Sequence, residues 1–121
     1  MIAVIFEVEP AEGQRQAYLD LAAALRPQLE KMDGFISVER FQSITDPKKM
    51  LSLSFWRDEE AVRAWRTHAA HRVTQGKGRA GIFKDYRLRI GEIARDYGMR
   101  DRREQAPQDS REAHEQQRMG K

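Results

Sequence analysis

The chain opens with an almost unbroken apolar run, IAVIFEV at residues 2–8. The run is rich in β-branched residues, which favours a strand that is covered on both faces. Neighbouring residues of a strand point to opposite faces. One face of this strand therefore carries Ile2, Val4, Phe6 and Val8, and the other carries Ala3, Ile5 and Glu7.

A helical pattern follows. Pro10, in the segment EPAEGQRQ, suits the first turn of a helix, where its missing N–H is not needed. Asp33-Gly34 is a typical helix stop, and Pro27 predicts a bend inside the helix. Between them, apolar residues recur at the spacing of one buried stripe. The stripe comprises Tyr18, Leu21, Ala22, Leu25, Leu29 and Met32.

Two strands come next, at residues 35–44 and 50–56, and the turn Asp-Pro-Lys-Lys between them predicts a hairpin. The second strand of the hairpin alternates. It places Leu51, Leu53 and Phe55 on one face and Ser52, Ser54 and Trp56 on the other.

The last predicted elements are a helix and a strand. Asp58 is a good N-cap for the helix, and QGKGRAG at residues 75–81 breaks it. Residues 85–97 alternate as a fourth strand, with Tyr86, Leu88 and Ile90 on one face.

The order β-α-β-β-α-β predicts an α+β, ferredoxin-like fold over residues 1–97. Two helices cover only one face of a four-stranded sheet, yet both faces carry apolar groups. A second copy is the simplest cover for the other face, and this predicts a homodimer that forms a dimeric α+β barrel. Residues 98–121 form a polar, charged C-terminal tail, with a possible helix from Asp109 to Arg118.

Composition narrows the class of protein. The 121 residues suit one domain, and the net charge of +3 is too small to favour a nucleic-acid partner. The chain has no cysteine, which excludes disulfides, thiolate catalysis and Cys-ligated metals. No segment has the length of a membrane span, and the N-terminal run lacks the basic leader of a signal peptide. We therefore expect a cytoplasmic protein with no membrane partner.

The stretch SFWRDEEAVRAWRTHAAH, residues 54–71, holds both tryptophans and two of the three histidines. Trp65 falls on the inward stripe of the second helix. His68 lies roughly 60° from Trp65 on the helical wheel and could point along a cleft edge, whereas His71 falls on the solvent side of an unbroken helix. Surface positions are the favoured interpretation of both histidines, and no metal site is predicted because no carboxylate accompanies them.

Other candidates lie on the strands. Trp56 shares its face with two serines, which suits a pocket wall, and the strand of residues 35–44 contributes Glu39 or Arg40 beside it. Glu7 would be a general base if it pointed inward, but a position facing water or an arginine is favoured. The basic run of residues 71–89 is either a lid for an acidic ligand or a solvated loop, and we favour the loop.

The segment LSFWRDEEAVRAW, followed by a histidine-bearing helix, resembles the antibiotic biosynthesis monooxygenase family, as does Gly34-Phe35 at the exit of the first helix. The pattern around Trp56, Glu59 and Trp65 carries most of the resemblance, which spans residues 1–97. It implies a dimeric α+β barrel with a ligand cavity between sheet and helices.

The resemblance also implies an activity: oxygenation of an aromatic or quinone-like small molecule without an organic cofactor. A pocket would be shaped by Phe6, Trp56, Trp65 and Tyr86, and His68 or His71 would assist deprotonation. Two alternatives remain open. One is a haem-degrading monooxygenase, in which Trp65 and His71 would match but Phe6 replaces an asparagine; the other is a non-catalytic dimeric binding module.

Overall fold

The computed structural model describes the backbone of residues 1–75 and 81–119, and the side chains of residues 1–69 and 81–113. It contains four strands, a short 3-10 helix and three α-helices. In chain order these are β1 (Ile2–Pro10), α1 (Arg15–Glu30), β2 (Phe35–Gln42), β3 (Met50–Trp56), α2 (Glu59–Gln75), β4 (Phe83–Glu92), a 3-10 helix (Arg103–Gln105) and α3 (Gln108–Met119).

The strands form one antiparallel sheet in the order β2-β3-β1-β4. β1 and β3 are therefore central, and α1 and α2 each connect two strands that are not neighbours in the sheet. This arrangement confirms the predicted ferredoxin-like α+β fold. No helix in the described part of the chain is long and apolar enough to cross a membrane.

The helices pack on the face of the sheet that carries the even-numbered residues of β1, here called the inner face. At one end of this face, Trp56 and Ile2 are buried together with residues of both helices, Leu29 and Ala61 among them. At the other end, a second buried cluster comprises Val8, Tyr18 and Met50. The inner face is therefore held by two separate clusters, one at each end of the central strands.

On the opposite, outer face Ala3 is buried, but the larger apolar side chains are only partly buried or exposed. Ile5, Leu51, Leu53 and Phe55 are half-buried, and Phe41 is exposed. Glu7 also lies on this face, where its carboxylate pairs with Arg89 at 3.1 Å. The predicted position of Glu7 against an arginine is confirmed.

Three predicted boundaries were wrong. The strand predicted at residues 35–44 ends at Gln42. The fourth strand spans Phe83–Glu92 rather than residues 85–97, because its partner β1 begins at Ile2 and the pairing ends there, with Ile93 donating to the carbonyl of Met1. Pro10 belongs to β1 rather than to a first helical turn. Gly13, with φ of 76°, turns the chain before α1 begins at Arg15.

Ion pairs of Arg57 connect the start of α2 to the turn that follows α1. Arg57 contacts both oxygens of Asp33 at 3.1 and 3.0 Å, and its Nε donates to Asp58. The guanidinium lowers the pKa of the Asp33 carboxyl. Asp58 accepts from the backbone N–H of Ala61, which lowers its pKa and confirms it as the N-cap of α2.

The tail contains the predicted helix, as α3 (Gln108–Met119). Before it, Ala106 is buried and the guanidinium of Arg103 lies over the ring of Tyr97 at 5.4 Å. This part of the chain is therefore folded in spite of its polar composition.

Gly34 joins α1 to β2 at a point of very close approach. Its φ is 87°, and a Cβ added there would lie 2.6 Å from the Cβ of Ala61 in α2. Gly13 has a similar φ but open space around it. Comparing the same substitution at Gly13 and at Gly34 therefore distinguishes the cost of backbone strain from the cost of steric overlap.

We expect Gly34→Ala to lower the free energy of unfolding by about 2–5 kcal/mol, because left-handed strain of about 1–2 kcal/mol adds to overpacking of about 1–3 kcal/mol. Gly13→Ala should lose only the strain component. Urea denaturation of both variants measures this difference. Equal losses in the two variants would show that Ala61 leaves room for a side chain at position 34.

Candidate functional site

Between the two buried clusters of the inner face, the central strand is less covered, although Val4 packs against one cluster and Phe6 against the other. Along β1, Ile2 and Val8 are 4% and 1% exposed, whereas Val4 and Phe6 between them are only half-buried. The helices thus seal the ends of the central strand and leave its middle less covered. We call this less covered region the inner-face hollow.

One wall of the hollow is a stack of rings that rises from the sheet. Trp56 is 1% exposed, and its indole Nε1 donates to the buried hydroxyl of Ser54 at 2.9 Å. The Trp65 ring of α2 stacks on it at 6.4 Å and 29°, and the imidazole of His68 stacks on Trp65 at 5.6 Å and 30°. The sheet therefore determines the position of the imidazole through two successive indoles.

A side chain from the other helix fixes the orientation of this imidazole. Oε1 of Gln28, in α1, lies 2.9 Å from Nε2 of His68. In this geometry the Nε2–H donates to the amide oxygen, which leaves Nδ1 with a lone pair that can accept a proton. His68 is half-buried rather than on the open surface, so the favoured surface interpretation was wrong for this residue.

The opposite wall is open and apolar. Tyr86, Leu88 and Ile90 are 47%, 46% and 39% exposed, and they pair with Val8, Phe6 and Val4 on the inner face. The Phe6 ring contacts Tyr86 at 5.6 Å and Phe83 at 5.9 Å. The inner face is therefore exposed to solvent along the edge strand β4.

Of the predicted pocket residues, Trp65 packs against one buried cluster and Phe6 against the other, where it contacts Tyr86, whereas Trp56 is fully buried beneath Trp65. Trp56 therefore supports the wall from within the core. His71 belongs to α2 (Glu59–Gln75), but its side chain lies outside the described residues. Its predicted role stays a prediction.

Two residues were missed or left unresolved by the sequence analysis. No pattern distinguished Gln28 from other polar helix residues. The choice between Glu39 and Arg40 depended on the register of β2, which shifts at a bulge between Phe35 and Ser37. Arg40 pairs with Ser52 and so lies on the inner face, and its Nε is buried without a hydrogen-bond partner.

The basic run is only partly described. Lys84 pairs with Glu9 at 3.2 Å near the C-terminal end of β1. Arg89 pairs with Glu7 on the outer face. Arg72, Lys77 and Arg79 lie outside the described side chains. A cavity of about 380 Å³ near Lys84 includes none of the candidate site residues in its lining.

Metal and haem binding depend on which side chains can act as ligands. No group of three or more His, Cys, Asp or Glu residues in the described part of the chain could hold a metal ion. The Nε2 of His68 is engaged by Gln28, and a phenyl ring at position 6 lies against other aromatic rings. The haem ligand that the resemblance implies is His71, whose side chain lies outside the described residues, so haem binding stays a prediction.

A model of the family described as antibiotic biosynthesis monooxygenase matches residues 1–77. The chain belongs to the antibiotic biosynthesis monooxygenase family. Among curated relatives, a Pyricularia oryzae protein named Jasmonate monooxygenase ABM is 50% identical over 93 residues, which are 77% of this chain and 43% of that protein. The chain therefore spans less than half of this relative. Bacillus subtilis YqjZ, which is uncharacterized, is 26% identical over 93 residues, 77% of this chain and 79% of that protein.

Solved structures of the family share the fold. Rv0793 from Mycobacterium tuberculosis superposes with a TM-score of 0.68 at 15% identity, covering 80% of this chain and 98% of that one. A mutant of MhuD with two manganese protoporphyrin IX molecules bound per active site gives a TM-score of 0.67 at 18% identity, covering 81% and 99%. At identities this low, the superpositions show that the fold is shared and say nothing about a ligand of this chain.

The Gln28–His68 contact predicts a measurable coupling. Replacing either residue by leucine removes one hydrogen bond, so the double variant should lose less stability than the sum of the single variants. We expect a coupling of about 0.5–1.5 kcal/mol from a urea-denaturation double-mutant cycle. Gln16, which bonds Asp20 on the exposed side of α1, is the control and should show no coupling to His68. A coupling near zero for Gln28 would mean that the imidazole is not oriented by α1.

Proposed function

We propose that this family member is a monooxygenase that binds a small apolar molecule in the inner-face hollow and oxidises it without an organic cofactor. The observation that carries the proposal is the half-buried His68, oriented by Gln28 and stacked on Trp65 beside an open apolar wall. The name of the relative at 50% identity supports the reaction class.

The substrate class that fits this site is aromatic or quinone-like. An anthrone supplies both the proton and the electrons that oxygen activation requires. Nδ1 of His68 would take a proton from the reacting CH₂, and the resulting anion passes an electron to oxygen more easily than the neutral ring does. The reaction balances as CH₂ plus O₂ giving C=O plus water.

A second substrate class is suggested by the same relative. Jasmonate is a cyclic ketone with a carboxylate, and its hydroxylation would consume two electrons from an added reductant as well as oxygen. Oxygen uptake with an anthrone, a hydroquinone and jasmonic acid, each with and without a reductant, separates the two classes. A non-catalytic binding module would consume no oxygen with any of them.

If turnover is found, His68→Ala should lower kcat about 100-fold, because removal of a general base costs about 10²–10⁴ in rate. Glu59→Ala, at an exposed position of the same helix, is the control and should retain the wild-type rate. His71→Ala tests the other candidate base. Full activity in His68→Ala would exclude its imidazole as the base.

Haemin titration is the companion measurement for the haem alternative. We expect an unchanged Soret band, because the proposed reaction uses no haem and Phe6 stands where the haem-degrading branch has an asparagine. A Soret shift that disappears in His71→Ala would contradict the cofactor-free proposal and support haem binding.

The outer face supports a homodimer. Two helices occupy the inner face, and half-buried Leu53 and Phe55 lie on the other. A second copy of the sheet would bury these side chains at about 25 cal/mol per Å². Such a dimer would complete the α+β barrel.

We expect light scattering to give about twice the 14.1 kDa of one chain for the wild type, because burial of the outer face favours association. Leu53→Glu should be monomeric. Ile44→Glu should remain dimeric, because Ile44 is 97% exposed in the β2–β3 turn rather than on the sheet face. A monomeric wild type would rule out this dimer.

A further inference from the structure

The inner face of β2 carries an arginine, Arg40, with one buried nitrogen that no interaction within the described chain satisfies. Arg40 lies on β2, and its Nε is buried without a hydrogen-bond partner. None of the ion pairs among the described residues includes Arg40. Glu39, the acidic residue next to it, pairs with Leu53 on the outer face and so points away.

A buried donor without a partner carries a desolvation cost, and the cost is greater for a charged group. Such an atom suits a partner of opposite character that the described residues do not supply. The guanidinium has five donors in a planar fork, which matches the two oxygens of a carboxylate.

The register places this cation in line with the hollow. Arg40, Ser52 and Phe6 form one row across the inner face, and the row ends at the exposed Leu88 of β4. Strands lie about 4.8 Å apart, so Arg40 and Phe6 are about 10 Å apart at the backbone, within reach of an extended arginine side chain and a small ligand.

We propose that Arg40 binds the carboxylate of a small organic acid whose apolar body lies over Phe6 in the inner-face hollow. The hydroxyl of Ser52, between the two residues, is placed to donate to the same carboxylate. The apolar end of the acid then faces the open wall of β4, with His68 and Trp65 on the helix side. This assignment rests on the proposed function and narrows its substrate class to acids.

The test compares a charged ligand with its neutral counterpart. Binding of jasmonic acid and of its methyl ester is measured by quenching of tryptophan fluorescence at pH 7. The wild type should bind the acid at least tenfold more tightly than the ester. Arg40→Met should weaken binding of the acid about 10- to 100-fold and leave the ester within twofold, because the lost contact is a charge-assisted hydrogen bond.

Two further variants separate this role from a general effect of charge. Arg40→Lys keeps the charge without the planar fork, so it should bind the acid with intermediate affinity. Arg89→Met removes a cation from the outer face, where Arg89 pairs with Glu7, and should leave both affinities unchanged. A loss of acid binding in Arg89→Met equal to that in Arg40→Met would overturn the proposal.

Thermal unfolding without ligand supplies a measurement that does not depend on activity. Arg40→Met removes a buried unsatisfied donor and should raise Tm, whereas a purely structural arginine would lower it on removal. A lower Tm together with equal weakening of acid and ester would mean that Arg40 only packs.

The outcomes for Arg40 and for the oxygenase are distinct. Equal binding of acid and ester by the wild type, or no saturable binding of the acid, overturns the carboxylate site while anthrone oxidation can persist. Acid binding that depends on Arg40, without oxygen uptake from any substrate, keeps the carboxylate site and removes the oxygenase.

Discussion

The burial of Trp56 is the constraint on which the rest of the structure depends. Its indole closes one end of the sheet against both helices, and its only polar atom is satisfied by Ser54 within the same strand. A large side chain buried in this way contributes about 1.5–3 kcal/mol. Because Trp65 stacks on it and His68 stacks on Trp65, the same packing that stabilises the domain also places the imidazole.

Local patterns in the sequence are sufficient to predict the architecture. Burial constrains the type of residue at regular positions along a strand or helix. The apolar run of β1, the alternation in β3 and the helical stripe of α1 all follow from it. Boundaries are less predictable because they depend on partners: β4 ends where β1 has no further residue to pair with. Pro10 is compatible with both a helix start and a strand end, and the left-handed Gly13 after it favours the strand.

The candidate site could be predicted only in part. Trp65 lies on the inward stripe, so helical geometry identifies it, and the same wheel places His68 at a cleft edge. The partner of His68 is Gln28, forty residues earlier, and no spacing rule connects the two. Arg40 depends on a bulge near the start of β2, since a shift of one residue exchanges the faces of a strand.

The tight junction at Gly34 has a consequence for how this fold diversifies. Ala61 rests almost against the glycine, so the two residues together set how closely α2 approaches the sheet. Trp65 lies one helical turn further along α2, and its height above the strands follows from that approach. The distance between the Trp65 ring and the sheet can therefore be changed by substitution at Gly34 or Ala61, without any change in the stacked rings themselves.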